Sequence, residues 1–212
     1  MKLYWGPHTC AIGIHILLEE AGLPYETEQL DVGGGATHRP EFLAINPKGK
    51  VPTLVRDDGS VLTEFGAIAT WIAREAPEAG LIPDDADAES RMTEVLEYVE
   101  GTIHSQGFGR MFKPSLYEPQ DVLHTKVGMG QSSVQAQGKE MVEEAFGILD
   151  RQLADRPFAA GESFSIADAA LFYVERWAPQ VEILLPPVLR AHFETMLARP
   201  AVQKVRSLWN EK

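Results

Sequence analysis

The chain carries one cysteine, Cys10, whose position indicates a reactive thiol. The short apolar run Lys2 to Trp5 ends at Gly6, and a helical pattern starts near Ala11, so Cys10 lies at a helix N-terminus. The positive end of a helix lowers the pKa of a thiol and favours the nucleophilic thiolate. The competing interpretation is a small buried residue beside a turn, since free cysteine is among the most buried residue types.

A long helical pattern from Glu89 to about Phe112 carries a histidine away from its apolar face. At about 100° per residue, the core stripe is formed by Met92, Leu96, Val99 and Ile103. The opposite side carries Glu97, Gly101, His104 and Phe108. Because a solvated face rarely combines Gly, His and Phe, we expect this side to contact a cleft or a partner subunit. His104 is then either a ligand-binding group or a surface or interface histidine.

The segment from Asn46 to Val55 predicts a loop that enters a strand and can hold a peptide. Pro52 cannot donate a ladder hydrogen bond, so it belongs at the first residue or the edge of a strand. An extended ligand could pair with the Val51 backbone as an additional strand. The helix that begins at about Phe65 would accept a ligand carboxylate at its positive end.

The first third of the sequence alternates strand and helix patterns. A strand, a helix and a second strand in this order predict a right-handed crossover with parallel strands. A short helix, a hairpin and a further helix follow, which gives βαβ and then αββα on one small sheet. The expected elements are Lys2–Trp5, Ala11–Ala21, Tyr25–Asp31, His38–Ala44, Thr53–Arg56, Ser60–Leu62 and Phe65–Glu75.

The remaining two thirds are helical in pattern. We expect domains at residues 1–77 and 89–212, joined by a linker at 78–88 that contains Pro83 and three Asp. A helix is predicted over 120–153, with a bend or break near Gly128, Gly130 or Gly138. Ser165 and Asp168 form a capping box, so Asp168 should serve folding, and the helix from Ile166 to Trp177 should be the buried centre of this domain.

Composition excludes several classes of protein. A net charge of −12 argues against nucleic acid and anionic membranes as partners. No apolar run approaches the ~20 residues that span a bilayer, and the N-terminus does not read as a signal peptide. One cysteine excludes internal disulfides and paired-cysteine redox or zinc sites, which favours a reducing cytoplasm. The six histidines are scattered, so we predict no metal site.

Four motifs occur in order along the chain: Cys10 after Lys2-Leu3-Tyr4, the loop Asn46-Pro47-Lys48-Gly49-Lys50-Val51-Pro52, Leu62-Thr63-Glu64 before a helix, and Ser165-Ile166-Ala167-Asp168-Ala169 with Arg176-Trp177 downstream. Together they resemble the glutathione transferase superfamily across nearly the whole chain. Cys10 with His104 points to its bacterial beta class. The resemblance implies an α/β thioredoxin-like N-terminal domain (βαβαββα, mixed four-stranded sheet), an all-α C-terminal helical domain, and a homodimer that binds glutathione at the junction.

The resemblance also assigns roles to individual residues. Cys10 and His104 would flank the glutathione sulfur as catalytic residues. Glutathione itself would contact Lys50, Val51, a cis Pro52, Glu64, the Phe65 amide and Glu97 of the other subunit. A pocket for an apolar electrophile would be lined by Trp5, His8, Phe108, Met111 and Phe112. Candidate dimer contacts are Phe42, Phe65 and the Glu97 face.

The sequence departs from the family pattern where glutathione would bind. Phe65 stands where many relatives have Ser. Glu97 stands where beta-class relatives often have Asn, and Ser105 stands where they often have Lys. The residues Gly33 to Gly35 occupy a loop in which relatives place a Lys. The expected activity is conjugation of glutathione to small apolar electrophiles. The alternatives are a glutathione-dependent thiol–disulfide oxidoreductase that uses Cys10 and a non-enzymatic ligand carrier or interaction protein on the same fold, which the departures at Phe65 and Gly33 to Gly35 favour.

Overall fold

A four-stranded mixed sheet forms the N-terminal part of the computed structural model, which describes residues 1–118 and 131–211. The strand order is β2-β1-β3-β4; β1 is parallel to β2 and antiparallel to β3, and β3 and β4 form the predicted hairpin. The strands are β1 Lys2–Trp5, β2 Glu26–Gln29, β3 Thr53–Val55 and β4 Val61–Thr63. The predicted thioredoxin-like sheet is therefore confirmed, with a second strand shorter than expected.

Helix α1 joins this sheet to the helical part of the protein. It packs on α3 within the N-terminal domain and on α7 and α9 of the helical domain, so its residues from Ala11 to Leu18 are all buried. A Cβ on Gly13 would come within 2.7 Å of the Ala169 carbonyl of α7, so this close approach requires glycine. The helices of the N-terminal domain are α1 Ala11–Glu20, α2 Pro40–Leu43 and α3 Phe65–Glu75.

The C-terminal domain is helical and surrounds α7. Helix α7 is buried along nearly its whole length, as the sequence predicted, and Ser165 and Asp168 form the expected reciprocal capping box at its start. The α-helices of this domain in the described residues are α4 Ala86–Glu97, α5 Gly109–Phe112, α6 Gln131–Gln152, α7 Ile166–Trp177, α8 Pro187–Ala198 and α9 Pro200–Leu208.

Helix α4 begins at Ala86, inside the segment expected to be a linker and before the expected start at Glu89. The Asp85 carboxylate accepts a hydrogen bond of 2.9 Å from the Ala88 amide and so caps the helix. Earlier in the same segment Leu81 is buried, and its carbonyl accepts the Ile166 amide at 3.0 Å. The connection between the domains is thus anchored to the start of α7.

A π-helical segment, Tyr98–Phe108, follows α4 directly and continues into α5. The stripe from Met92 to Ile103 is buried as predicted. Phe108, expected on the opposite side, is instead fully buried, because the wider π turns rotate the residues after Tyr98 away from the positions that α-helical spacing gives.

Glycine allows α6 to lie directly against this segment. A Cβ on Gly138 would meet the Gly107 carbonyl at 2.7 Å, and one on Gly107 would meet Val142 at 2.4 Å. The expectation of a break at Gly138 is therefore wrong, because α6 continues through this residue, which provides a packing contact instead. Gly128, Gly130 and the predicted helix start at Gln120 lie outside the described residues. Within the described part of the chain, no helix is both long and apolar enough to cross a membrane.

Candidate functional site

The loop before β3 is held in shape by Asn46. The buried Asn46 amide donates to the Lys50 carbonyl at 2.9 Å and to the Thr53 hydroxyl at 2.8 Å, and its oxygen accepts the Lys48 amide at 3.0 Å. The Val51–Pro52 peptide bond is cis, as the resemblance implied. Val51 is half-buried and lies two residues before β3, outside the paired part of the sheet, so an extended ligand could pair with its backbone.

The Cys10 thiol faces this loop. Its Sγ makes a long contact of 4.0 Å with the Val51 carbonyl, and Cys10 is the residue that precedes α1, as the sequence predicted. Burial raises the pKa of the thiol to about 12, the negative charge of Glu100 adds to this rise, and Arg176 opposes it. Burial therefore opposes the thiolate that the helix N-terminus would favour, and the catalytic role of Cys10 stays a prediction.

His104 is paired with a tyrosine that sequence reasoning missed. Its Nδ1 lies 3.1 Å from the hydroxyl of Tyr173, a fully buried residue of α7. Burial lowers the pKa of His104 to about 4, with a smaller contribution from Lys50, and burial raises the pKa of Tyr173 well above its ordinary value. Both groups are neutral at pH 7. One feature of the sequence could have identified Tyr173: a tyrosine hydroxyl inside an otherwise apolar, buried helix needs a hydrogen-bond partner.

The C-terminal end of α7 fixes the backbone that leads to Cys10. The Arg176 guanidinium donates to the Thr9 carbonyl at 2.9 Å, and the Trp177 indole donates to the His8 carbonyl at 3.0 Å. Arg176 also pairs with Glu211 near the C-terminus. Because Arg176 is buried, its positive charge is felt by the Cys10 thiol.

The first turn of α3 carries the predicted Glu64 and Phe65. Glu64 precedes α3 with a φ of 71°, a backbone conformation that is strained for a residue other than glycine and that occurs disproportionately at functional sites. Its exposed carboxylate pairs with the Lys48 ammonium at 2.6 Å, a partner that the sequence did not suggest. The Phe65 ring is buried and lies 5.2 Å from the ring of Tyr173.

The residues expected to contact a second subunit divide into two groups. Phe42 and Phe65 are buried within the protomer, Phe42 against Tyr4, so their proposed role as dimer contacts is wrong. Glu97 is exposed and remains a prediction. Lys50 is exposed beside Val51, where its assignment to glutathione also stays a prediction.

An aromatic cluster lies beside His104. The ring of Trp177 is 4.9 Å from His104, 5.4 Å from Phe108 and 5.7 Å from Phe112, which is exposed at one side. These rings form one aromatic cluster beside His104, in which Phe108 is fully buried and Phe112 is exposed, and the assignment of Phe108 and Phe112 to a substrate pocket stays a prediction. Trp177 is a further member that the sequence analysis placed only in the helix.

The other three residues assigned to this pocket lie differently. The assignment of Trp5 to this pocket is wrong, because its ring stacks on Trp209, with the ring centroids 4.2 Å apart, in the joint between the domains. Met111 is also buried away from the pocket, against Gly138 of α6. The side chain of His8 is exposed with φ at 60°, and its role stays a prediction. Among the described residues, no cluster of His, Cys, Asp or Glu could hold a metal ion.

Family models match both domains of the chain, and curated relatives align with nearly its whole length. The glutathione S-transferase N-terminal domain matches residues 9–75 and the C-terminal domain matches 132–199. Glutathione S-transferase GstA of Escherichia coli O157:H7 is 32% identical, covering 98% of both chains. Disulfide-bond oxidoreductase YfcG of Escherichia coli K12 is 28% identical, covering 95% of this chain and 92% of the relative.

Solved structures agree with this match along the full length. A glutathione transferase homolog from Sulfitobacter, with bound glutathione, has a TM-score of 0.87 at 31% identity and covers 98% of this chain and 97% of its own. The bacterial beta class enzyme of Sphingomonas chungbukensis has a TM-score of 0.80 at 29% identity, covering 99% and 98%. With a thioredoxin-like sheet, a cis-proline loop facing a thiol and an all-helical second domain, the chain belongs to the glutathione S-transferase family.

Proposed function

We propose that the protein conjugates glutathione to small apolar electrophiles. The observation that carries this proposal is the contact of 4.0 Å between the Cys10 thiol and the Val51 carbonyl, in the region of the neutral His104–Tyr173 pair. A peptide thiol laid along the Val51 backbone would reach the same place as the Cys10 sulfur. The aromatic cluster that includes Trp177 begins at His104, so an apolar substrate would meet the thiol there.

Glutathione would bind in an extended conformation across the two domains. Its cysteinyl backbone would pair with Val51. Its glycyl carboxylate would lie toward the exposed Lys50, and its α-carboxylate would accept the Phe65 amide at the positive end of α3. Because Phe65 has no hydroxyl, this end of the ligand would lack one hydrogen bond available in relatives with serine.

In this mechanism the attacking sulfur belongs to glutathione. With Tyr173 donating to His104 Nδ1, the proton of the neutral imidazole is on Nε2, from which it can donate to a thiolate. Buried hydrogen-bond donors of this kind stabilise charge without reorganisation. The glutathione thiol releases its proton to solvent, its sulfur forms a bond to the electrophilic carbon, and a leaving group such as halide departs with its electron pair.

Cys10 in this scheme is a neutral thiol that contacts the glutathione sulfur. With its pKa raised to about 12, it is a poor nucleophile at neutral pH. The second candidate, disulfide reduction through Cys10, is favoured by the likeness to YfcG, which is named a disulfide-bond oxidoreductase. Reduction of hydroxyethyl disulfide that is abolished in Cys10→Ser, with conjugation spared, would support this second activity.

The proposal includes a homodimer in a reducing cytoplasm, with the exposed Glu97 as one residue that can reach the partner's glutathione site. Sedimentation analysis would test the dimer directly. A monomer at micromolar concentration that still conjugates glutathione would exclude an essential contribution from a second subunit.

The deciding experiment is calorimetric titration of the reduced protein with glutathione, together with conjugation of a generic aryl halide. Saturable binding with turnover supports the transferase. Binding without turnover favours the oxidoreductase. Absence of binding at millimolar glutathione overturns both and leaves the non-enzymatic carrier.

A further inference from the structure

Arg176 is a buried cation that contacts the backbone next to the Cys10 thiol. Its side chain is 8% exposed, and its Nη2 donates to the Thr9 carbonyl at 2.9 Å. Its Nε is also buried and has no hydrogen-bond partner in the part of the chain that the structure describes. Burial raises the pKa of the Cys10 thiol, and Arg176 opposes this rise. The protonation of the thiol therefore depends on how much of the charge of Arg176 is neutralised elsewhere.

Glu211 neutralises Arg176 from beyond the end of α9. Its carboxylate pairs with Nη1 of Arg176, and its side chain is 17% exposed, so both charges of the pair are largely removed from water. Burial lowers the pKa of Arg176, and Glu211 opposes this fall more strongly than Cys10 does. Charges in such a place are weakly screened, so the loss of either partner would be felt at the thiol.

The backbone after α9 folds back so that Glu211 reaches Arg176. The Glu211 amide donates to the Arg206 carbonyl at 3.0 Å, and the Asn210 amide donates to the Ser207 carbonyl at 3.2 Å. Asn210 is left-handed, with φ at 54°. These two bonds around a left-handed residue form the Schellman motif that ends many helices, and asparagine is a residue that it accepts. Local backbone geometry therefore fixes the position of Glu211.

A carboxylate at this place departs from the usual pattern of the motif. The residue after the left-handed one is frequently apolar and contacts the last turns of its own helix. Here it is Glu211, and it pairs with α7 instead. A further charged group, Arg206 of α9, also faces Arg176 and adds positive charge. A mostly buried charge at a helix end is costly unless it is paired, and this one is paired next to the thiol.

We propose that Glu211 sets the reactivity of the thiol site through Arg176, and so acts as a positioning residue. While the ion pair is intact, the guanidinium is held against the Thr9 carbonyl and most of its charge is neutralised. When the pair is broken, the same guanidinium acts on the sulfur of Cys10 with its full charge and favours the thiolate.

The other groups that act on Cys10 take no part in this pair. Burial raises the pKa of the thiol, and Glu100 of the π-helical segment and Glu64 at the start of α3 add to the rise. Tyr173 of α7 faces Cys10 as a neutral hydroxyl. A change at Glu211 therefore alters the charge from the side of Arg176 and leaves these groups as they are.

The test measures alkylation of Cys10 by iodoacetamide, an uncharged reagent, at pH 8 in the unliganded full chain. Glu211→Gln keeps an oxygen that can accept from Arg176 and removes the charge. A thiol pKa lower by about one should raise the rate about fourfold, because the gain in thiolate is partly offset by the lower nucleophilicity of a less basic sulfur. Glu211→Asp keeps the charge and should leave the rate close to that of the wild type.

Arg176→Gln separates an electrostatic role from a merely structural one. It should slow alkylation, because a charge that favours the thiolate is lost, whereas Glu211→Gln should accelerate it. If the ion pair only kept the structure closed, both variants would accelerate alkylation. Glu20→Gln is the matched control, since it breaks the ion pair with Arg199 at the opposite end of α1 and should leave the rate unchanged.

A further comparison changes no charge and holds whether or not Arg176→Gln folds. Asn210→Val places a β-branched residue at a positive φ, so the turn should open and release Glu211. Alkylation should then accelerate as in Glu211→Gln. Asn210→Gly keeps the left-handed conformation and should leave the rate unchanged.

Two outcomes overturn the inference: an unchanged rate in Glu211→Gln, or acceleration in both Glu211→Gln and Arg176→Gln. Neither measurement uses glutathione, so each can fail while the proposed transferase stands. If the sulfur of glutathione lies beside Cys10, an extension that rests on the proposed function, the same charge acts on it. The midpoint of the pH profile of kcat/KM for conjugation should then fall in Glu211→Gln, and an unchanged midpoint in an active enzyme would overturn this extension.

Discussion

Cys10 lies at the N-terminus of α1, where burial and the helix dipole act on its thiol in opposite directions. The dipole favours the thiolate, but burial of the side chain raises the pKa of the thiol to about 12; the negative charges of Glu100 and Glu64 add to this rise, and Arg176 opposes it. The residue most expected to be a nucleophile is therefore a protonated thiol in the unliganded protein.

This state predicts slow alkylation. At pH 8 the native protein should react with iodoacetamide at least about 100-fold more slowly than the chain unfolded in denaturant, because a pKa about three units higher leaves far less thiolate. Cys10 is the sole cysteine, so the stoichiometry reports this site alone. Similar rates in the two states would mean that the native thiol is ionised and exposed.

The Tyr173 hydroxyl orients the imidazole of His104. Tyr173→Phe should lower the conjugation rate about tenfold with little change in the affinity for glutathione, since the lost group acts through His104 rather than on the ligand. Tyr98→Phe removes a tyrosine hydroxyl from the π-helical segment that carries His104, and it serves as the control. A weaker affinity with unchanged turnover would place Tyr173 in binding instead.

At the scale of the element, α7 carries a buried charge cluster. His192 of α8 lies between two carboxylates, with Nδ1 3.0 Å from Glu175 and Nε2 3.1 Å from Asp168. Burial alone lowers the pKa of His192, but the two carboxylates outweigh it and raise the pKa to about 10. Asp168 also accepts the Ser165 and Ala159 amides, so the cluster joins the cap of α7 to α8.

This cluster predicts a pH-dependent contribution to stability. A histidine whose pKa rises on folding stabilises the protein fully below about pH 6.5, and the contribution is lost as the pH rises toward 10. His192→Gln should cost about 3 kcal/mol at pH 7 and much less at pH 9.5, measured by urea unfolding. Glu194→Gln, on the exposed side of α8, should cost little at either pH.

Local sequence signals predicted the elements well where the determining contacts are local. The helix start at Cys10, the capping box at Ser165 and the hairpin after Pro52 follow from turn chemistry and periodicity, and all are found. Phe108 was misplaced because a π-helical segment has no clear local signature. Trp5 was misplaced because its partner, Trp209, is near the other end of the chain.

The protonation of the site was harder to predict for the same reason. The pKa of Cys10 depends on its burial and then on Glu100, and that of His104 depends on its burial against α7. Both effects come from residues far apart in sequence. The sequence therefore identified the thiol and the histidine but not their ionisation states.

At the scale of the whole molecule, α9 and the C-terminus hold the two domains together. The Trp209 indole stacks on Trp5 at 4.2 Å and donates to His15 Nδ1 at 2.9 Å. Arg199 adds a two-bond ion pair to Glu20, at 2.7 and 2.9 Å. These contacts join β1 and α1 of the first domain to the end of the second.

This joint predicts one cooperative unfolding transition. Far-ultraviolet dichroism and tryptophan fluorescence should give coincident urea curves. Trp209→Ala should lower the free energy of unfolding by about 3–5 kcal/mol and move both midpoints together to lower urea. Leu208→Ala, at 52% exposure, is the neighbouring control and should have little effect. Two separated transitions would show that the domains fold independently of the joint.

The π-helical segment places more residues between α4 and the aromatic cluster than an α-helix with the same number of turns would. An ordinary α-helix would reach α5 with fewer residues, so the side chains after the change would leave their present directions. Deleting Gly101, where an added Cβ would meet nothing, is expected to shift the stretch toward α-helical spacing. The anchors of α4 would be kept while His104 turned away from Tyr173. A single-codon insertion or deletion is thus a simple evolutionary route by which this scaffold could gain or lose its site without rebuilding its core.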